Sequence, residues 1–399
     1  MLSMSALSTT GLVSLSDLSP GDLTLVLDVA EDMAEAIGFG DGGVSPTPAQ
    51  PLDRILGVAF YEPSTRTRLS FESAMLRLGG QTLGFSDAKA SSASKGESLA
   101  DTVTVMAAYC DVLVVRHPLA GAAKVAGRAA RTAGIPFISA GDGPREHPTQ
   151  TLTDLFCIRR EMGTLSGLRV GLCGDLKYGR TVHSLAPVLA GLGSDVVCIA
   201  PPSLGMPERS IDSVEQSCGR RPEQLESLEE AIGTLDVLYM TRIQRERFDS
   251  EEQYQQVAGT YVLTPEIMGR ARESMRVLHP LPRVDEISPA CDPDPRAAYF
   301  RQAAGGVPVR MALIALLLEL PQFRPPLKGI GLGKVQKKPE DRVEVAGPTP
   351  EAEPHVVAGT GRCRNSRCIT TTEPLEPAFI QTGDGGLVCY YCEQPHTQD

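Results

Sequence analysis

The sequence predicts an α/β protein: two doubly wound, mostly parallel-sheet domains joined by long helices, then a small C-terminal β domain resembling a zinc ribbon. Three observations carry this expectation. Strand-length apolar runs alternate with amphipathic helical stretches through most of the chain, the pattern of crossover-connected parallel sheets. Polar and arginine-bearing segments follow several of those runs directly, at the strand ends where open α/β sheets bind ligands. Finally, Cys363-x4-Cys368 and Cys389-x2-Cys392 pair four thiols at the spacing of a tetrahedral zinc site.

The first residues, 1–13, are polar and irregular and are expected to be disordered. Ser16-Asp17-Leu18-Ser19-Pro20 opens a helix with Leu23, Leu27, Ala30 and Met33 on one face. A Gly/Pro-rich surface loop spans 38–51. Ile55–Phe60 reads as a buried strand. Pro63 turns the chain, and Leu69, Phe71, Ala74, Met75 and Leu78 then recur at helical spacing until Gly79-Gly80 ends the helix. Further strands are expected at Gly80–Phe85, Cys110–Val115 and Ile135–Ala140, with a helix at Leu99–Ala108. Ser86–Glu97 is small, polar and serine-rich, and by itself reads as a mobile solvent loop. His147-Pro148-Thr149-Gln150 starts a long helix running to Met162.

A second unit of the same grammar follows. Strands are expected at Leu168–Gly174, Asp195–Ala200 and Leu235–Met240, and a helix at Val182–Gly191. Gly171-Leu172-Cys173-Gly174 does not fit the dinucleotide fingerprint, and Lys177 and Arg180 occupy its loop, so a nicotinamide cofactor is rejected. Boundaries are placed at 14–150 and 151–300 for the two domains, with 301–320 as a helix returning to the first. Pro-rich, charged residues 321–354 form a linker, and 355–399 form the cysteine-bearing module.

Bulk composition agrees with this layout. The 399 residues are 42% hydrophobic and 22% charged, as in globular chains. A net charge of −11 argues against general nucleic-acid binding. The longest apolar run, Met311–Leu318, is too short for a bilayer, and no secretory leader is expected at the N-terminus. Cys110, Cys157, Cys173, Cys198, Cys218 and Cys291 are scattered singly and read as ordinary buried thiols in a reducing, cytoplasmic setting.

The chemistry concentrates around Ser64-Thr65-Arg66-Thr67-Arg68. Hydroxyls and backbone N–H groups on a first helical turn, with arginines beside them, favour an oxyanion. Arg116 and His147, at later strand ends, add donors for negative charge developing on a carbonyl oxygen. Arg180, Arg242 and Gln244 would suit a dicarboxylate.

The run Phe60–Arg68 also resembles the carbamoyl-phosphate signature of the aspartate/ornithine carbamoyltransferase family. The resemblance continues through Phe85-Ser86-Asp87, Lys95-Gly96-Glu97-Ser98, Arg116-His117-Pro118, His147–Gln150, Gly174–Arg180 and His279-Pro280-Leu281-Pro282, covering about residues 14–320. It implies carbamoyl phosphate held by Ser64, Thr65, Arg66, Thr67, Arg116, His147 and Gln150. The amino acid would be held by Arg180, Arg242 and Gln244, with Pro280 and Leu281 shaping its cleft. It further implies a cytoplasmic homotrimer in which Ser91 and Lys95 reach into the neighbouring chain's site, and an activity in pyrimidine biosynthesis. Arg66, Thr67, Lys95, Arg116 and His147 would carry catalysis. Pro280 and Thr149 stand where ornithine-type members carry cysteines, and two arginines would repel a cationic side chain, so aspartate is the implied acceptor. Ser94 departs from relatives that carry a second lysine before Lys95.

Residues Cys363–Thr370 and Cys389–Glu393 resemble the zinc domain of the regulatory chain of bacterial aspartate carbamoyltransferases. Only the linker stands where that chain's nucleotide-binding domain would be. One structural Zn²⁺ on Cys363, Cys368, Cys389 and Cys392 is implied, with His355 and His396 as bystanders and no organic cofactor. A silent scaffold, a transferase for another amino acid and a nucleic-acid-binding ribbon are the weaker alternatives.

Overall fold

The computed structural model describes residues 7–39, 51–243, 245, 248, 250–255, 257, 259–320, 363–382 and 386–396. The expected linker 321–354, Gln244 and His355 lie outside them. Two compact units emerge. The described residues of the first come from 7–149, 307–320 and 363–396; those of the second come from 150–306. Both boundaries fall inside helices rather than loops, so the second lies several residues beyond the expected position at 300.

The first unit is built on strands β1 (Gly11–Leu12), β2 (Ile55–Phe60), β3 (Gln81–Phe85), β4 (Val112–His117) and β5 (Phe137–Asp142). They form a parallel sheet in the order β1-β5-β4-β2-β3. Helices α1 (Pro20–Ala36), α2 (Thr65–Arg77), α3 (Leu99–Ala107) and α4 (Ala122–Thr132) belong to this unit. The strand residues are almost continuously buried, as a parallel sheet covered on both faces requires.

The expected disorder of residues 1–13 does not extend to residues 7–13. Ser8 bonds Asp22 through its backbone N–H (2.9 Å) and its hydroxyl. Gly11 and Leu12 pair with β5, and Leu12 is buried. A two-residue strand is too short for periodicity to reveal. Its stability comes from covering an otherwise open sheet edge. Helix α4, rich in alanine, was likewise not expected from the apolar pattern.

The second unit repeats the construction. Helix α5 (Pro148–Met162) leads into β6 (Arg169–Cys173), α6 (Arg180–Gly191), β7 (Asp195–Ile199), α7 (Glu208–Cys218), β8 (Glu223–Leu225) and α8 (Leu228–Ala231). β9 (Val237–Met240), α9 (Glu251–Gln255), α10 (Pro265–Met268), β10 (Arg276–Leu278) and α11 (Tyr299–Leu317) follow. The sheet is parallel, in the order β10-β9-β6-β7-β8. Its core gathers Ile199, Leu238, Met240, Leu263 and Val277.

The C-terminal module carries β11 (Phe379–Gln381), β12 (Leu387–Cys389) and β13 (Pro395–His396) in one antiparallel sheet. It packs within the first unit. Ile369, Phe379, Tyr391 and its buried cysteines share one core with Leu99, Val103, Ala122 and Ala126. Of the six scattered thiols, five are buried as expected; Cys218, at the end of α7, is exposed. No helix among the described residues is long and apolar enough to cross a membrane.

Candidate active site

Each sheet has one place where chain order reverses, and the polar segments gather there. In the first unit the chain runs β2 to β3 on one side, then crosses to β4 and β5. The crevice between the ends of β2 and β4 is therefore a topological switch point. β2 delivers Tyr61–Ser64 and the first turn of α2. β4 ends on Arg116 and His117, and β5 leads through a tight turn to His147.

Three side chains converge on one hydroxyl. Thr67 Oγ1 lies 3.3 Å from His147 Nε2 and 3.4 Å from Arg116 Nη1. The same Arg116 nitrogen donates to Ser64 Oγ at 3.4 Å. Thr67 and His147 are buried and Arg116 is half-buried. On the other side of the ring, His147 Nδ1 lies 3.5 Å from Thr149 Oγ1, to which Arg310 Nη2 donates at 3.3 Å. Ser64 stands at the N-cap of α2 without making a side-chain cap, so the first-turn N–H groups face this crevice uncapped by it. Thr65 and Arg66 are exposed on that turn. Packing around the Arg66 guanidinium, and next the Arg116 charge, lower its pKa from the ordinary value. Two guanidinium groups held near one another are a site for an anion, whose binding relieves their repulsion.

Glu62, to which sequence reasoning gave no role, accepts from Arg116 Nε at 2.6 Å. Gln150 is tied elsewhere: its amide nitrogen donates to Asp154 at 2.7 Å, beside the Tyr239 hydroxyl and the Gln302 amide on the same carboxylate. Among the described residues no hydrogen bond or ion pair joins Ser91 or Lys95 to the Thr67 cluster. The expected loop is two successive 3-10 turns, Ala88–Ala90 and Ser92–Lys95. Ser91 donates to Ala88 O, and Lys95 is exposed.

The second unit has its switch point between β6 and β9. Gly174 turns the chain after β6 at φ +112°. A Cβ there would sit 2.5 Å from Thr241 O, so only glycine lets the two strand ends close. Arg180 begins α6 just beyond this turn. Arg242 follows Thr241, whose hydroxyl donates back to Cys173 O at 2.9 Å. The two arginines thus leave the ends of adjacent central strands, both half-buried. Pro280 and Leu281 lie after β10, where His279 Nδ1 accepts the Leu281 N–H at 2.7 Å. That acceptor role puts the His279 proton on Nε2, which donates to buried Glu286 at 2.6 Å. The first unit uses the same His-Pro-Leu device: His117 Nδ1 accepts the Leu119 N–H at 3.1 Å. Burial lowers the His117 pKa to about 4, so this ring is neutral. The repeated tripeptide was visible in the sequence, and it marks the strand ends that need a rigid exit.

The four C-terminal cysteines meet. Their sulfurs lie within 4.8 Å of one another, with Cys363···Cys392 at 3.6 Å and Cys368···Cys389 at 3.9 Å. Four thiolates bound to one cation at about 2.3 Å stand roughly 3.8 Å apart, so the cluster fits a tetrahedral metal site. Burial, and then the neighbouring sulfurs, push the Cys363 thiol up to about 12, and a dication is what makes four thiolates tenable there. Thr370 Oγ1 donates to Cys368 Sγ at 3.2 Å, and His396 stacks on Phe379 at 4.3 Å.

Comparison with known proteins bears on both parts of the chain. Residues 11–160 match the aspartate/ornithine carbamoyltransferase family's carbamoyl-P binding domain, and 166–317 match its Asp/Orn binding domain. Residues 355–399 match the metal binding domain of the aspartate carbamoyltransferase regulatory chain. The aspartate carbamoyltransferase catalytic subunit of Thermococcus kodakarensis is 51% identical over 306 residues, covering 77% of this chain and 96% of that protein. Its Clostridium novyi counterpart is 53% identical over 269 residues, covering 66% and 86%. Among solved structures, the M. jannaschii aspartate transcarbamoylase catalytic subunit aligns with TM-score 0.70 at 42% identity, covering 79% of this chain and 99% of that one. The Trypanosoma cruzi aspartate transcarbamoylase in complex with carbamoyl phosphate aligns with TM-score 0.68 at 38% identity, covering 78% and 96%. With two successive domain matches and relatives at this identity, the chain belongs to the aspartate/ornithine carbamoyltransferase family.

Proposed function

We propose that this chain is an aspartate carbamoyltransferase, moving the carbamoyl group of carbamoyl phosphate to the α-amine of L-aspartate and releasing phosphate, a step of pyrimidine biosynthesis. The observation that carries the reading is the convergence of Arg116 and His147 on Thr67 Oγ1 at the end of β2, beside the first turn of α2. Ser64, Thr65, Arg66 and that turn's N–H groups hold the phosphate. Thr67, Arg116 and His147 donate to the carbamoyl oxygen, and when only inorganic phosphate is present the same three donors complete the anion pocket it enters. As the amine attacks, negative charge grows on that oxygen. Each preorganised donor is worth roughly 3–4 kcal/mol at that moment. The C–N bond forms, the C–O bond to phosphate breaks, and the nitrogen's proton passes to the leaving phosphate. No covalent enzyme intermediate is needed. Gln150, its amide nitrogen held by Asp154, offers its carbonyl oxygen to the carbamoyl NH₂. Arg180, Arg242 and Gln244 hold the two carboxylates of aspartate, and Pro280 and Leu281 line that cleft.

The metal is Zn²⁺, on Cys363, Cys368, Cys389 and Cys392, and its role is structural: it carries the folding of a module too small to bury much core alone. All four positions are protein ligands, so none is left for substrate. The working assembly is a homotrimer, in which Ser91 and Lys95 act on a neighbouring chain's site. What supports this is that Lys95 is exposed and that neither residue makes a hydrogen bond or ion pair with the Thr67 cluster of its own chain among the described residues. Ten cysteines without a disulfide suit a reducing cytoplasm. The test is phosphate release from carbamoyl phosphate with L-aspartate, with L-ornithine as control. Release with aspartate alone supports the reading; release with ornithine, or with neither, sinks it.

A further inference from the structure

Among the described residues the C-terminal module meets the rest of the first unit in three polar regions, each close in sequence to a residue that the functional reading gives to substrate; in the third, Lys124 Nζ also donates to Tyr390 O at 2.8 Å. Both carboxylate oxygens of Glu373 stand 3.0 Å from the Leu99 N–H, at the start of α3 and just after the turn carrying Lys95. Ala120, just beyond Arg116, pairs in strand-like fashion with the module. Its N–H donates to Arg367 O at 2.9 Å, and its carbonyl accepts from Ile369 N–H at 2.9 Å. Glu393 accepts from Arg145 Nη2 at 2.6 Å and from Lys124 Nζ at 3.0 Å. Arg145, two residues before His147, also donates to Asp142 at 3.3 Å, and Asp142 in turn holds the N–H groups of Gly121 and Ala123. The surfaces close to backbone contact: Gly121 has φ +90°, and a Cβ there would sit 2.7 Å from Tyr391 Cβ. Arg367 and Glu393 are immediate neighbours of Cys368 and Cys392, so two of the three contacts hang directly on the cysteine cluster.

We propose that the cysteine module is a positioning element of the phosphate pocket, in which Glu393, Glu373 and the 367–369 backbone pin the segments bearing His147, Lys95 and Arg116 from behind. Strand-end loops have few anchors of their own. Here all three are anchored on one small body whose own fold depends on a metal. Arg145 has a side chain only 10% exposed, and Glu393 supplies its second carboxylate. Without that carboxylate the turn before His147 relaxes, and a shift of about 1 Å at a charge-stabilising group costs on the order of a hundredfold. The proposal rests on the functional reading above for the identity of the pocket, but phosphate binding tests it independently of turnover.

The experiment uses the full chain with Glu393→Gln, Glu393→Asp and Glu373→Gln. For each variant, metal per chain and circular dichroism are recorded. Inorganic phosphate affinity is then measured by calorimetry, and KM for each substrate by phosphate release. Glu393→Gln, metal-loaded and folded, should bind phosphate roughly tenfold more weakly and raise KM for carbamoyl phosphate in step. KM for aspartate at saturating carbamoyl phosphate should stay unchanged. Glu393→Asp should recover part of the affinity, and Glu373→Gln should lose about threefold. Stripping the metal from the parent chain should weaken phosphate binding in the same way. Unchanged phosphate affinity in metal-loaded Glu393→Gln overturns the proposal, as does a loss confined to the number of competent sites. If Glu393→Gln does not fold, Glu373→Gln decides by the same criteria. A parent chain that binds phosphate but transfers no carbamoyl group removes the functional reading and leaves this test standing.

Discussion

Arg116 is held by Glu62 at 2.6 Å through Nε, which leaves Nη1 turned towards the hydroxyls of Ser64 and Thr67. One edge of the guanidinium is thus spent on aim and the other on the crevice. Glu62→Gln keeps an acceptor for Nε but removes the charge that fixes it. Turnover should fall about tenfold through lost orientation. Inorganic phosphate affinity should not fall, because a negative charge has left the anion site. Weaker phosphate binding in this variant would show that Glu62 matters to the fold of the pocket rather than to the aim of Arg116.

Arg180 and Arg242 leave adjacent strands of the other sheet, so their replacement should separate the two substrates. Arg180→Ala and Arg242→Ala should each raise KM for aspartate by one to two orders of magnitude, the worth of about 1.5–3 kcal/mol for a lost charged hydrogen bond. Affinity for phosphate should stay at the parent value. Titration of inorganic phosphate into each variant checks the second half. A parallel loss of phosphate affinity would contradict the separate pockets.

What could be read from the chain and what could not divides along contact range. Ser64–Thr67, Arg116, Arg180 and Arg242 could be picked out as candidates because each lies at, or within a short turn of, the end of an apolar strand, and ligand-binding residues of parallel sheets gather at such ends. The order of strands was not legible, because it depends on pairings between distant segments. Gly11–Leu12 joined β5 for the same reason. Nor did any local pattern announce that Glu393 would reach Arg145, 248 positions away. The cysteine spacing declared a metal cluster but said nothing of which surface it would cover. Gln150 sits in a recognisable motif, yet its amide is tied to Asp154 one helical turn on, a constraint visible only once α5 is built.

Lys95 is exposed at the end of a 3-10 turn and makes no hydrogen bond or ion pair with the Thr67 cluster of its own chain among the described residues. If it serves a neighbouring chain, two inactive variants should complement. Lys95→Ala and Arg66→Ala chains, mixed and allowed to exchange, should regain about a quarter of the parent activity, the share of sites built from one intact half of each. Exchange is followed by mass difference in native electrophoresis. A mixture that exchanges yet stays as inactive as its components would assign Lys95 to some other task.

Glu286 links stability to pH. Burial would raise its pKa, but the hydrogen bond from His279 and the N–H groups of Val284 and Asp285 outweigh it and bring the pKa down to about 2 from 4.5. A carboxylate with a depressed pKa adds stability above its unfolded pKa and loses it as pH falls towards the folded value. The contribution is about 3 kcal/mol at neutral pH, lost between roughly pH 5 and pH 2. Glu286→Gln should be less stable than the parent at pH 7 by an amount of that order, and the gap should shrink to less than half of that by pH 3, closing only near pH 2. Urea unfolding at both values measures it. A gap independent of pH would mean that shape, not charge, accounts for the loss.

The cysteine cluster should hold one metal ion per chain, and the four ligands should not be equivalent. Cys368 is fully buried, accepts the Thr370 hydroxyl, and sits on the backbone bridge to Ala120. Cys363 is half-buried. Cys368→Ser should therefore abolish metal binding and release the module, whereas Cys363→Ser, with three thiolates left, should retain a weakened site. Hydrogen exchange gives the sharper readout. The Ala120 N–H donates to Arg367 O and the Ile369 N–H donates to Ala120 O. Both amides should be strongly protected in the metal-loaded chain and exchange at least a hundredfold faster after chelation, since metal binding supplies the module's folding energy. The amides of β2 and β4, whose partners lie within the sheet, should keep their protection. Equal protection at Ala120 with and without metal would mean that the module folds and docks on its apolar contacts alone.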